Sequence, residues 1–242
     1  MNYIVAIFAR GGSKGLVDKN LMPLCGKPLI GWTIEFALNI PEISRVIVST
    51  DSKKIASAAA AFGADVPFCR PDHLATDNSP EWLSWKHALE YLRDVEGYVP
   101  DAMVSLPATA PLRNETDVTR CLKRFEERDS DMVLTVTPSM RNPNFNMVSI
   151  DKNGFAKLAI QQTEPINRRQ DAPSLFDITT VCYVADSNFV LNNNYFFDGT
   201  VKSVVVPRER SIDIDDRLDF KIAEMLMEER LSQITKDKNK SE

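Results

Sequence analysis

Twelve residues, ARGGSKGLVDKN from Ala9 to Asn20, place Gly11, Gly12 and Gly15 among Arg10, Lys14 and Lys19. Glycines let backbone N–H groups approach an anion with no Cβ in the way, and Ser13 adds a hydroxyl donor. Such a loop suits a phosphate chain, although a solvated loop is the plainer alternative. Neither G-x-x-x-x-G-K-[ST] nor G-x-G-x-x-G occurs here, so it is not one of the two common nucleotide loops. A second group is RSIDIDD, Arg210 to Asp216. In an extended chain Asp213 and Asp215 share one side while Ile212 and Ile214 take the other. Two convergent carboxylates repel unless a cation lies between them, and a hard ion such as Mg²⁺ suits oxygen ligands with phosphate partners. Capping of the next helix by Asp215 or Asp216 is the competing reading. In the loops CRPDHLATD and LPATAPLR, Arg70, Asp77, Thr109 and Arg113 could read a base or a ribose, or simply stabilise turns. In NRRQDAP, Arg168 and Arg169 could clamp a carboxylate, with Arg168 better suited to a solvated or interface role.

These residues need elements to position them. Tyr3 to Phe8 is an unbroken apolar run, as expected of a strand buried on both faces. Further strands are predicted at Arg45 to Thr50, Asp65 to Cys69, Ala102 to Leu106 and Asp131 to Val136. Helices fall between them: one from Pro28 with Ile30, Thr33, Ile34, Ala37 and Leu38 repeating at helical spacing, one over Ile55 to Phe62 ended by Gly63, and one over Glu81 to Glu96. A fourth carries Val118, Cys121, Leu122 and Phe125 on one face, with Asn114 as N-cap. This alternation predicts an α/β fold, a mainly parallel, doubly wound sheet with helices on both faces. Ligands of such sheets lie at the carboxyl ends of the strands, which is where the glycine-rich loop falls.

From Pro138 to Pro173 the alternation stops, and Asp151-Lys152-Asn153-Gly154 reads as the turn of a hairpin arm. Strand character returns at Ile178 to Ala185 and Val201 to Val206. A last helix is expected over Leu218 to Leu231 with Leu218, Ile222 and Met225 inward, then a frayed tail from Thr235. The expected organisation is one domain over 1–234, an excursion at about 138–173 and a flexible tail at 235–242.

The 242 residues suffice for a sizeable core, and 43% hydrophobic with 26% charged residues is ordinary for a folded protein. A net charge of −5 argues against nucleic acid as partner. No apolar run is long enough to span a membrane and no signal sequence opens the chain, so a cytoplasmic protein is expected. Cys25, Cys69, Cys121 and Cys182 are far apart and read as buried, reduced thiols. With only His73 and His87 available, a multi-histidine zinc site is excluded.

Taken together the motifs resemble the cytidylyltransferases that make CMP-activated keto-acid sugars, in the sialic-acid-type branch that includes CMP-N-acylneuraminate, legionaminate and pseudaminate synthetases. The resemblance rests on ARGGSKG with Lys19-Asn20, GKPLI at 26–30, VSTD at 48–51, RPDHLATD at 70–77, TAPLR at 109–113, RRQDAP at 168–173 and SIDID at 211–215, all in family order. It implies a Rossmann-like nucleotide-diphospho-sugar transferase fold with a dimerisation arm, a homodimer, Mg²⁺ dependence, and reaction of CTP with a nonulosonate to give the CMP-sugar and pyrophosphate. Arg10, Gly11, Gly12, Ser13, Lys14, Lys19 and Asn20 would then hold the phosphates, with Arg10, Lys19 and Asp215 catalytic. Arg70, Asp77 and Thr109 would serve the nucleoside, Asp213 and Asp215 the metal, and Arg169, Gln170 and Thr179 the sugar, Arg169 from its own or a neighbouring subunit. Sialate-activating members carry Gln where this chain has Pro107, and Asn-Gly where it has Thr179-Thr180, which bears on the choice of sugar. Two alternatives remain, a synthetase for the eight-carbon acid Kdo and a non-catalytic nucleotide-binding protein on the same fold.

Overall fold

The computed structural model describes residues 1–12, 15–161, 164 and 166–241. Strand β1 (Tyr3–Phe8) lies inside the sheet, parallel to β4 (Ile43–Ser49) on one side and to β5 (Ala102–Ser105) on the other. A small ribbon of β2 (Pro23–Leu24) and β3 (Lys27–Pro28) comes between β1 and helix α1 (Leu29–Leu38). Helices α2 (Lys53–Ala61), α3 (Glu81–Asp94) and α4 (Glu115–Phe125) and strand β6 (Met132–Pro138) continue the alternation. After the arm, β9 (Phe176–Asp186), α5 (Ser187–Asn192), β10 (Val201–Val205) and α6 (Arg217–Ser241) complete the order. The sheet runs β10-β6-β9-β5-β1-β4, and β9 is antiparallel to both neighbours, so the sheet is mainly parallel.

Alternation along β1 assigns its side chains to two cores. Val5 and Ile7 pack with Ile30, Ile34, Ile55, Val118 and Leu122, while Ile4 and Ala6 pack with Trp82, Trp85 and Leu89. Asn114 caps α4 in a capping box with Asp117, and Gly63 takes the left-handed conformation at φ +90°.

The segment 65–69 departs from expectation. It makes single bridges, Asp65 with Ile47 and Cys69 with Thr50, rather than a strand. Pro67 lies between them and has no N–H for a ladder bond. Cys69 on this irregular edge is exposed and Cys25 half-buried; only Cys121 and Cys182 are the buried thiols expected, and all four are free.

Helix α6 also differs. Leu218 and Met225 are 65% and 53% exposed, while Ala223 and Met227 face the core with Phe220, Leu226 and Leu231 beside them. Apolar residues occur around the whole helix, so its orientation is set by its entry. Asp216 accepts hydrogen bonds from the N–H groups of Leu218 and Asp219, and Asp219 accepts in return from those of Asp215 and Asp216. The backbone stays helical to Ser241, past the expected fraying point at Thr235.

The expected hairpin arm is present as β7 (Val148–Ile150) and β8 (Ala156–Leu158). Asp151 Oδ1 accepts from the N–H groups of Asn153 and Phe155, and Gly154 adopts φ +87° to close the turn.

Arg113, a candidate for reading a base or ribose, is a structural residue instead. It is 1% exposed, and burial pushes its pKa down to about 10. Its guanidinium donates to the carbonyls of Val181 and Pro107 and to Thr33 Oγ1, tying β9 and the loop after β5 to α1. Arg113→Met leaves these acceptors unsatisfied and is expected to cost about 3 kcal/mol in urea unfolding; a loss under about 1 kcal/mol would show that the fold does not depend on this hub.

Candidate active site

A cleft of about 390 Å³ opens at the carboxyl edge of β1 and β5. One wall is the loop after β1, with Arg10, Gly15, Lys19 and Asn20; the floor is Pro107 to Thr109; the facing wall is Asp213 and Asp215. The two walls, far apart in sequence, join through a third apolar cluster that packs Leu16 and Ile214 with Leu24 and Leu112.

Asp18 takes a left-handed conformation at φ 53° and turns the chain into a short 3-10 segment, Lys19–Leu21. Lys19 Nζ there donates to the carbonyl of Ile214 and lies 3.1 Å from Asp215 Oδ1. Its side chain is 12% exposed and that of Asp215 78%, so the lysine is anchored while the carboxylate faces solvent. Buried Asn20 donates from Nδ2 to the Arg10 carbonyl at 3.2 Å. Arg10 pairs with Asp77 at 2.6 Å. Gly15 meets the opposite wall so closely that a Cβ there would overlap the Asp215 carbonyl oxygen. The Gly11 N–H is already given to Asp51 Oδ1 at 2.9 Å, so this amide braces the loop and does not await an anion. Gly12 has open space around it; Ser13 and Lys14 lie outside the described residues.

Asp213 is the more enclosed carboxylate. Burial raises its pKa; the Thr109 hydroxyl and Lys19 oppose that shift, and the charge of Asp215 adds to it. Its Oδ1 is buried, and no well-aligned hydrogen bond reaches it among the described residues. The Ile214 N–H donates to the Thr109 carbonyl at 2.9 Å, which fixes the height of both aspartates above the floor. Asp216, and not Asp215, caps α6, so capping does not occupy the pair.

Several expected site residues lie elsewhere. Arg70 is buried, donates from Nε and Nη2 to Ser49, and lines a neighbouring cavity of about 230 Å³ that shares Phe8, Arg10, Asp77 and Glu81 with the cleft. Thr179 is hydrogen-bonded into the sheet through Thr135, and Thr180 is the member of the pair that reaches the cleft. Arg169 and Gln170 line a separate cavity at the base of the arm, where Arg169 donates to the Ser139 and Met140 carbonyls; Arg168 pairs with Asp171. Sequence reasoning missed Glu81 and Phe8. Glu81 directly follows Pro80 in the first turn of α3, a position that usually signals only a helix start.

The chain matches the family model described as Cytidylyltransferase over residues 4–230. It belongs to the cytidylyltransferase family. Among the relatives of this cytidylyltransferase is a CMP-N,N'-diacetyllegionaminic acid synthase of Campylobacter jejuni, 34% identical over 93% of this chain and 94% of that protein. A post-translational flagellin modification protein B of Campylobacter coli is 31% identical over 94% of this chain and 95% of its own length. An N-acylneuraminate cytidylyltransferase of Escherichia coli is 32% identical over 91% of this chain and 51% of that protein. The fold is similar to that of a CMP:2-keto-3-deoxy-manno-octonic acid synthetase solved with CTP, at TM-score 0.69 and 18% identity over 95% of this chain and 100% of that one. The expected nucleotidyltransferase fold is thus the observed one.

Two outcomes test this geometry. Because Asp213 has a folded-state pKa above its unfolded value, keeping it ionised costs stability above that pKa, and the cost vanishes as the native state takes up its proton. Asp213→Asn should therefore stabilise the cytidylyltransferase at pH 7.5 without added metal, with a gain that shrinks toward the ordinary aspartate range; a gain independent of pH would contradict the burial argument. Gly15→Ala should force the two walls apart, lower turnover by roughly 10²-fold and, because those walls are joined by the packing of Leu16 with Ile214, lower the melting temperature as well.

Proposed function

We propose that the protein transfers a cytidylyl group from CTP to the anomeric hydroxyl of a nonulosonate, a sialic-, legionaminic- or pseudaminic-type acid sugar, releasing pyrophosphate. The observation that carries the reading is the single cleft in which Lys19 faces Asp213 and Asp215. Support comes from relatives named for CMP-legionaminic and N-acylneuraminate synthesis, similar over nearly the whole of this chain. The Kdo reading has less support, since the Kdo synthetase shares the fold at 18% identity.

In this reading the anomeric hydroxyl gives up its proton to solvent, and its oxygen bonds to the α-phosphorus as the bond to the β-phosphate oxygen breaks and pyrophosphate leaves. Lys19 and Arg10 offset charge on the α-phosphate, and for this each must exchange its carboxylate partner, Asp215 or Asp77, for phosphate oxygens. Asn20 positions Arg10 by holding its carbonyl. Gly12, Ser13 and Lys14 serve the leaving pyrophosphate, with Gly11 bracing the loop. Thr109 positions Asp213.

Asp213 and Asp215 fit a hard divalent cation: one offers a buried oxygen with no well-aligned partner, the other an exposed carboxylate. No group of three or more His, Cys, Asp or Glu gathers among the described residues, so a cation held by Asp213 and Asp215 would need phosphate oxygens and water as its further ligands, as suits Mg²⁺. When bound, Mg²⁺ supplies Lewis-acid polarisation of the phosphate oxygens.

A homodimer formed through the arm is part of the proposal. Val148, Ile150, Phe155 and Ile160 expose apolar side chains there, and Arg169 and Gln170 lie below them, away from this chain's own cleft and available to a partner's sugar site.

With CTP, Mg²⁺ and a panel of neuraminate, legionaminate, pseudaminate and Kdo, pyrophosphate release is expected with at least one of the first three. Lys19→Ala and Asp215→Ala should each lower kcat/KM by ~10²-fold or more; wild-type turnover in either would remove it from the mechanism, and silence with every sugar despite CTP binding would favour a non-catalytic binder. Sedimentation should give a dimer, and an active monomer would overturn the role given to the arm.

A further inference from the structure

Glu81 is the one carboxylate whose role the phosphate and metal chemistry leaves open in the shared wall between the main cleft and the neighbouring cavity. Its Oε1 accepts a hydrogen bond from Trp85 Nε1 at 3.0 Å, and Trp85 is buried, so the carboxylate is held by a fixed donor while no hydrogen bond engages Oε2 among the described residues. The neighbouring cavity, about 230 Å³, is the size for a flat heterocycle and has Phe8 and Leu74 as apolar surfaces. Buried Arg70 is its donor: Nε and Nη2 are engaged by Ser49, and Nη1 has no hydrogen-bond partner among the described residues. Ser79 adds a buried hydroxyl that is likewise without a partner among the described residues.

A cavity with a fixed cationic donor and a fixed carboxylate acceptor selects a ring edge that carries an acceptor beside a donor. Cytosine has that edge, with O2 and N3 as acceptors and the N4 amine as donor, and carboxylates pair with that amine. Uracil turns a carbonyl oxygen toward the position of the amine, where it would meet a carboxylate oxygen with no proton between them. A ribose hydroxyl could also meet Glu81, but it would not distinguish the two nucleotides.

We propose that Glu81 accepts a hydrogen bond from the exocyclic amine of the cytosine of CTP and is the residue that excludes UTP. The inference rests on the proposed CTP-dependent activity and names the nucleotide selector within it. Arg70 supplies the complementary donor, and Trp85 is a positioning residue that keeps the carboxylate in register.

The test compares Glu81→Gln with wild type in kcat/KM for CTP and for UTP at a saturating level of an accepted sugar. Calorimetric binding of CMP and UMP, which needs no sugar and no turnover, runs in parallel. The amide still accepts from Trp85 and can donate to uracil O4, so the CTP-to-UTP preference should fall about 10- to 100-fold with the sugar KM unchanged. CMP should bind more weakly while UMP does not. An equal loss for both nucleotides would move Glu81 to the ribose or phosphates, and a change confined to the sugar KM would move it to the acceptor; either overturns the inference. Glu81→Asp retains the charge but shortens its reach, so it should weaken CMP binding without improving UMP binding, and it carries the test if the amide variant does not fold. If wild type turns over no nucleotide yet the CMP-to-UMP binding ratio collapses in Glu81→Gln, the proposed activity fails and the base-reading role stands.

Discussion

The site depends on Ile214. Its side chain is buried with Leu16, Leu24 and Leu112, its N–H donates to the Thr109 carbonyl, and its own carbonyl accepts from Lys19. Burying one such side chain contributes about 1.5–3 kcal/mol, which offsets the backbone entropy of ordering roughly one or two residues, so the hydrogen bonds on either side of it share the task of fixing the loop. The aspartates on either side of Ile214 have no freedom to leave the cleft while it stays buried. The glycine-rich loop is pinned through the same apolar cluster, by Leu16, and Gly15 allows the backbones of the two walls to touch.

Around this anchor the charges neutralise one another locally. Lys19 rests against Asp215, and Arg10 against Asp77. The Arg10 pair is partly exposed, so it contributes little to stability and can be exchanged for phosphate oxygens at small cost. Arg113 behaves differently although it lies only a few residues from the floor of the cleft. Fully buried among carbonyls, it serves the scaffold, and burial alone lowers its pKa. Between Arg10 and Arg113, sequence proximity to a ligand loop does not separate the two uses of arginine; solvent access does.

Much of the fold was legible because local rules and tertiary packing agree. The apolar run of β1, the Asn114 cap, the Gly63 terminus and the Asp151 to Gly154 turn each express a backbone requirement met within a few residues. The misreadings arose where local rules conflict or say nothing. Pro67 interrupts an otherwise strand-like run, and α6 carries apolar residues on every face, so its buried side is decided by where Ile214 and the Asp216 cap start it. Glu81 was invisible as a site residue because an acidic residue in the first turn of a helix satisfies the helix dipole without any ligand.

The sequence by itself determined the α/β alternation, the placing of the glycine-rich loop after a buried strand, and the pairing of Asp213 with Asp215 on one side of the chain, because each follows from periodicity or from residue type. Only the tertiary structure decided which side chains share a cavity. It brought Lys19 to Asp215 and Glu81 to the wall beside Arg70, turned Thr180 and not Thr179 toward the cleft, and kept Arg169 and Gln170 at the base of the arm. The physical reason is that convergence across long stretches of chain is set by which apolar side chains pack together, here Leu16 with Ile214, and no local pattern in either segment encodes the other.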